Sequence, residues 1–250
     1  MSKKIYSREE FEELRIISAE KMAQDKKLQK DALDVLSRAD NYYWIHQSTW
    51  FGEPVLNLAQ DMLAIQEIIF KTRPEYIIEL GVAWGGSLLF YATLLEILGG
   101  KKVIGVDIFI PDDLKDRLKK HQRIYDRLLL INDSSLEDNT FKKIKSIIGN
   151  SKKNLIILDS FHSHEHVIKE LKLYSTLIGK DYYLICGDTI IEDLPEHKQK
   201  ERQRPWGHGN NPKTALEEFL NENKNFIIDK SFDNKLLFSC NINGYLKCIK

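Results

Sequence analysis

The sequence predicts an α/β fold: a mostly parallel seven-stranded sheet with helices on both faces, a terminal antiparallel hairpin and an N-terminal helical extension. Three observations carry that prediction. From Glu75 onward, short apolar runs alternate with amphipathic segments, the rhythm of strand–helix units. The runs are mostly continuous, as in NLIIL at 154–158, which is how parallel strands buried on both faces read. The last two runs, 226–229 and 235–240, lie too close together for a crossover helix, so they are expected to pair antiparallel.

Taken in order, residues 7 to about 38 are charged and helical in period. Ser7 and Glu10 suggest a capping box, and Phe11, Leu14, Ile17, Ala19 and Met22 recur near helical spacing. This segment is a candidate for covering an active site or joining the subunits of a homo-oligomer; a solvated flanking helix explains it equally well. Residues 42–57, YYWIHQSTWFGEPVLN, are aromatic and irregular, with Gly52 and Pro54 as breakers. Asp61 to Phe70 reads as a helix running into Arg73-Pro74. Strands are expected at 76–80, 102–107, 127–131, 154–158, 182–187, 226–229 and 235–240. Helices are expected at 86–98, 112–122, 137–147, 163–178 and 212–222. The chain therefore divides into an extension over 1–60 and one α/β domain over 61–250.

Composition narrows the partners. Lys+Arg and Asp+Glu balance at 37 each, so a nucleic-acid or other general polyanion binder is not expected. Cys186, Cys240 and Cys248 have no CxxC spacing, which fits free or buried thiols in a reducing compartment. The start, MSKKIYSREEFEELR, is too charged for a signal peptide, and no apolar run approaches a membrane span. A soluble cytoplasmic protein is expected.

Ligands of open α/β sheets sit beyond the C-terminal strand ends, and here each end carries something polar. The stretch YIIELGVAWGGSLLFYA ends a strand in Glu79, turns through Gly81, Gly85 and Gly86, and enters a helix at Ser87. Backbone can approach a nucleotide-like ligand closely at such a loop. The second strand ends in Asp107, suited to ribose hydroxyls, and the third runs into Asp133 and Ser134, where an adenine edge could be met. The fourth ends in Asp159, followed by His162, His164 and His166; the fifth ends in Asp188, with Glu192 and Asp193 beyond. Asp107 has a plain alternative as a helix N-cap, and His166 reads as a surface helix residue. Asp159, His162 and Asp188 form the stronger set. Two carboxylates in one cleft repel unless protonated or bridged by a cation, and oxygen donors suit Mg²⁺, Mn²⁺ or Ca²⁺.

The glycines do not meet GxGxxG, since position 83 is Ala, and no P-loop motif occurs. An acid just before the loop is awkward for a pyrophosphate. It suits a cofactor with a cationic amino group and a sulfonium centre, S-adenosylmethionine.

Several segments, IIELGVAWGGSLLFYATLLE, VIGVDI, LDSFHSHEHVIKEL, YYLICGDTIIEDLP and RPWGHGNNPKTALEEFL, resemble the cephalosporin hydroxylase/rhamnosyl O-methyltransferase family. The lead-in WFGEPVLNLAQDMLAIQEIIFKTRPEYIIELG resembles it too, so the likeness runs from about Trp50 to Leu220. It implies a Rossmann-like class I methyltransferase that binds S-adenosylmethionine and often uses Mg²⁺, with related members methylating hydroxyls of sugars on glycolipids, polysaccharides or macrolides. It also implies a metal held by an Asp after strand four and an acidic pair after strand five, with a His three residues past the first Asp as base. Here these are Asp159, Gly187-Asp188 and His162. The first pair member is Gly, leaving Glu192 or water as candidates to complete the set. No spaced triad of two His and one carboxylate for Fe(II) is legible, so hydroxylation is not carried over.

The expected reaction is an SN2 methyl transfer to a hydroxyl. Glu79, Gly81, Gly85 and Ser87 hold the amino-acid part of the cofactor, Asp107 the ribose, and Asp133 and Ser134 lie near the adenine. Asp159 and Asp188 bind Mg²⁺, which lowers the pKa of the acceptor hydroxyl, and His162 takes the proton. Residues 202–212 form a loop over the acceptor, where Trp206 stacks on a sugar face or serves as a packing anchor. The rivals are a catechol-type O-methyltransferase, a nucleotide-sugar or NAD-linked oxidoreductase, and a cofactor-binding member without catalysis.

Overall fold

The computed structural model describes residues 6–198 and 203–250. The helical stretch at the N-terminus is two helices, α1 (Arg8–Gln24) and α2 (Lys26–Ala39). They part at Asp25, whose carboxylate accepts from the Leu28 amide at 2.9 Å and caps α2. The capping box of α1 is present: the Glu10 amide donates to Ser7 Oγ and the Ser7 amide to Glu10 Oε2. No residue of α1 is buried, whereas α2 packs Leu36 against Leu58, Ile190 and Cys240. Helix α3 (Ala59–Thr72) follows the aromatic stretch and stops where Arg73 turns left-handed ahead of Pro74.

Five strands are parallel: β1 (Tyr76–Leu80), β2 (Lys102–Asp107), β3 (Leu128–Asn132), β4 (Asn154–Leu158) and β5 (Tyr183–Cys186). Two more, β6 (Phe226–Ile228) and β7 (Tyr245–Cys248), complete a seven-stranded sheet in the order β3-β2-β1-β4-β5-β7-β6. Alternate residues feed opposite faces, as strand geometry requires. Ile77 and Val103 meet α3 and α4 (Gly86–Leu98) on one side, joined by α5 (Asp112–Lys119) and the short α6 (Gln122–Tyr125). Ile78 and Ile104 meet α7 (Asp138–Ile148), α8 (His164–Tyr174) and α9 (Pro212–Glu222) on the other. In register, Leu80 lies beside both Val106 and Leu158. The strand order therefore reverses between β1 and β4 with the residues after Leu80, Val106 and Leu158 at one edge, a topological switch point.

The terminal hairpin forms, but residues 235–240 are not its second strand. β6 pairs antiparallel with β7, which itself runs antiparallel to β5. Between them lies α10 (Lys230–Asp233), capped by Asp229. Residues 235–240 are apolar enough for a strand, yet their backbone is engaged elsewhere. The Phe238 amide donates to Gln60 Oε1 at 3.1 Å and the Cys240 amide to Asp61 Oδ2 at 2.8 Å. Apolarity identifies a buried segment, and partners distant in the chain decide whether it pairs as a strand. All three cysteines are buried and unpaired. Among the described residues no helix is long and apolar enough to cross a membrane.

Candidate active site

A cavity of about 1060 Å³ opens at the switch point, at the upper end of the usual range for ligand sites. Glu79, Gly81 and Ser87 line one part of it; Asp133, Ser134 and Asp107 line another; Asp159, His162 and Asp188 line a third. Of the cofactor residues expected from sequence, Gly85 is not on the wall. It turns the chain into α4 with φ +78°, and its α-carbon faces the Leu114 and Leu118 side chains.

Glu79 is 1% exposed, and its Oε2 accepts from Ser87 Oγ at 2.9 Å. Burial pushes its carboxyl well above the usual carboxylate range, the Asp159 charge adds to the rise, and the Ser87 hydroxyl opposes it. Gly81 has φ +99°, and a Cβ there would lie 2.0 Å from the Asp159 carbonyl oxygen. Only glycine permits the loop to lie against the start of the β4 loop. Asp107 does more than line the cavity. Its Oδ2 accepts from the amides of Val82 and Ala83, at 2.8 and 3.3 Å, and its Oδ1 from the Phe109 amide. It fastens the glycine loop to β2. Asp133 similarly accepts from Thr140 Oγ1 and the Ser134 amide.

Asp159, His162 and Asp188 each offer a donor atom, all within 4.8 Å of one another, and His162 Nε2 is 3.5 Å from Asp188 Oδ2. Desolvation pushes the Asp159 carboxyl up to about 7 and the Asp188 charge adds to it; His162 and the Asn57 side-chain amide pull the other way. The donor set fits a divalent cation, because a bound charge would relieve the repulsion that raises Asp159. Asp188 is held left-handed (φ 52°), and its amide donates to Asn241 Oδ1 at 3.2 Å. Glu192 does not join the set. It accepts from the Gly209 amide at 2.8 Å and the Asn211 side chain, and pairs with His208 Nδ1 at 2.5 Å, organising the 207–211 loop. Trp206 stands edge-on to His162, with ring centres 5.1 Å apart, and to Phe161 at 4.8 Å, with the Arg204 guanidinium over its ring.

Among the wall residues that sequence reasoning missed are Asn57 and Ser160, and it misplaced His166. Asn57 lies in the aromatic lead-in and Ser160 between Asp159 and His162, inside segments quoted for the family resemblance, but neither residue type signalled a role there. His166, expected at the surface, lines the cavity. Its Nε2 is 3.1 Å from Oε1 of the fully buried Glu170, with Ser160 Oγ at 3.2 Å. The His166/Glu170 spacing of four, one face of a helix, was the available signal.

Residues 41–249 match the Rhamnosyl O-methyltransferase/CmcI family. The chain belongs to this family. As a member it is an S-adenosylmethionine-dependent O-methyltransferase. A rhamnosyl O-methyltransferase of Mycobacterium bovis (strain BCG / Pasteur 1173P2) is 28% identical over 209 residues, covering 82% of this chain and 80% of that one. An apo structure of CmcI aligns with TM-score 0.56 at 20% identity, over 82% of this chain and 77% of that one. A Mg-SAM structure of CmcI aligns with TM-score 0.55 at 19% identity, over 82% and 78%. The family's fold is thus the one built here, with the parallel sheet and antiparallel hairpin in place.

Proposed function

We propose that this family member methylates a hydroxyl of a sugar or glycoconjugate, with a divalent cation held by Asp159 and Asp188. The observation that carries the reading is one cavity lined by two unlike sets of acids: a buried carboxyl at Glu79 beside the glycine loop, held by the Ser87 hydroxyl, and the Asp159–His162–Asp188 cluster. Glu79 and Ser87 bind the amino-acid part of the methyl donor, whose ammonium returns Glu79 to its charged form. Asp107 keeps the loop in shape for the ribose, and Asp133 and Ser134 border the adenine. A bound cation would supply Lewis-acid activation of the acceptor hydroxyl. The acceptor oxygen bonds to the methyl carbon as the C–S bond breaks, and the hydroxyl proton passes to a group of the Asp159–His162–Asp188 cluster. Alignment of the three atoms supplies much of the rate.

The sugar acceptor is supported by the rhamnosyl O-methyltransferases among the relatives and by the ring surfaces of Trp206 and Phe161 beside His162, since aromatic faces suit the apolar faces of sugar rings. His162 Nε2 lies 3.5 Å from Asp188 Oδ2, so this nitrogen is also placed to share a cation with the carboxylates. The test is transfer of label from S-adenosylmethionine to a panel of glycosides, glycolipid head groups and catechols, with and without EDTA. Labelled sugar products lost in EDTA are expected. Label on catechols alone would overturn the acceptor class, and unchanged transfer in EDTA would remove the cation.

A further inference from the structure

Position 187, where the family resemblance implies an acid, is Gly, and the structure leaves a side chain there little room. A Cβ built on Gly187 lies 2.9 Å from the Leu158 carbonyl oxygen and 3.0 Å from Asp159 Oδ1. Any side chain there would press on the carboxylate it was meant to assist. The other nearby acids are engaged. Glu192 is tied to His208, Gly209 and Asn211. Asp61 accepts from Ser239 Oγ and Tyr245 Oη through Oδ1 and from the Cys240 amide through Oδ2. What does reach the Asp159–Asp188 pair is an imidazole.

We propose that His162 is the third protein ligand of the cation, through Nε2, and that this one-nitrogen, two-carboxylate set selects Mn²⁺ or Co²⁺ over Mg²⁺. The inference rests on the cation-assisted reading of the function above. The 3.5 Å from Nε2 to Asp188 Oδ2 is close to the roughly 3.0–3.4 Å that separates neighbouring ligands at metal–ligand bonds of about 2.1 Å. Trp206, edge-on at 79°, braces the ring, as groups around a metal ligand commonly do. Replacing a carboxylate with a neutral nitrogen lowers the negative charge of the set and adds a softer donor. Mg²⁺ gains least from that exchange, because it favours oxygen ligands and keeps its water, whereas later first-row ions bind imidazole well. An Nε2 bound to metal has no lone pair for the acceptor's proton, so the proton would pass instead to a carboxylate oxygen of Asp159 or Asp188 that the cation leaves free.

The experiment uses the full chain, stripped by chelation and titrated calorimetrically with Mn²⁺ and with Mg²⁺. It is paired with pulsed electron paramagnetic resonance of the Mn²⁺-loaded protein. Expected are Mn²⁺ affinity at least about tenfold above Mg²⁺ and nitrogen modulation from one imidazole. His162→Gln should erase the modulation, weaken Mn²⁺ about 10–100-fold and leave Mg²⁺ nearly unchanged. Bound Mn²⁺ without nitrogen modulation in the wild-type protein overturns the inference and leaves the proposed function standing. Binding of neither ion, with methyl transfer indifferent to EDTA, removes both. The wild-type spectrum decides the matter even if His162→Gln does not fold.

Discussion

The two ends of the cavity hold their acids in opposite ways. At the glycine-loop end, Asp107 is satisfied by three backbone amides, and Glu79 is sealed away with one hydroxyl for a partner. At the other end, Asp159 and Asp188 face each other across His162, partly open to solvent. The first end is finished in geometry and short one positive charge that a ligand brings. The second is short of charge in its own construction, and a cation would complete it. Buried like charges raise pKa values unless compensated, so the same physics underlies the proposed cofactor pocket at one end and the proposed metal site at the other.

The largest test of that contrast is Asp159→Ala. It removes a donor from the proposed metal site, and with it a charge that helps raise Glu79, so methyl transfer is expected to fall by about 10³-fold or more, on the order of 4 kcal/mol of transition-state stabilisation. Calorimetric affinity for S-adenosylhomocysteine should stay within about threefold of wild type, a difference under roughly 1 kcal/mol. Loss of cofactor affinity to the same degree would show that the two ends are one electrostatic unit.

Asp61 tests the scaffold under the metal end. Its three partners, Ser239, Cys240 and Tyr245, tie α3 to β7 and the segment before it. Asp61→Ala leaves three buried donors unpaired and should cost about 3–5 kcal/mol of stability, read by denaturant unfolding. Desolvation pushes this carboxyl up to about 6 from near 3.8 unfolded. The folded state therefore binds the extra proton between those values. The stabilisation this gives is full below about pH 4 and gone above about pH 6, roughly 3 kcal/mol across the window. Asp61→Asn should flatten that part of the stability–pH profile, and an unchanged profile would assign the slope to other groups.

At the glycine-loop end, Glu79→Gln keeps the shape and the acceptor for Ser87 but cannot become negative. Cofactor affinity is expected to fall about 30–100-fold, the roughly 2–3 kcal/mol of a buried charge pair. Thermal stability of the cofactor-free protein should change little or rise. A fall in stability with cofactor affinity intact would make Glu79 a packing residue.

These residues also show what could be read from the chain alone. Glu79, Gly81, Asp107, Asp159 and Asp188 each lie within two residues of a strand's C-terminal end, and parallel strands bring such ends to one edge, so order along the chain was enough. Asn57, Asp61 and His166 owe their places to partners from other elements. Asp61 meets Ser239 across 178 residues, and His166 meets Ser135, which follows β3, only once the sheet has assembled. The same distance effect hid the true second strand of the hairpin. Gly187 was visible as a departure from the family pattern, but the reason, its contact with the Asp159 carboxylate, is steric and three-dimensional.

The smallest expected effect separates acceptor contact from packing at Trp206. The ring is half-buried, edge-on to His162 and Phe161 and covered by Arg204. If it serves as a platform for a sugar face, Trp206→Ala should raise the acceptor KM about tenfold, near 1.4 kcal/mol, with the cofactor KM unmoved. Trp206→Phe should recover most of the loss, since a smaller aromatic face remains. Equal rises in both KM values, or a lower melting temperature that accounts for the whole effect, would instead make Trp206 an anchor for the 203–211 loop. Because Trp206 also braces His162, the Mn²⁺ spectrum of Trp206→Ala adds a separate reading. Nitrogen modulation that survives while the acceptor KM rises would place the ring's main contribution on the acceptor rather than on the metal ligand.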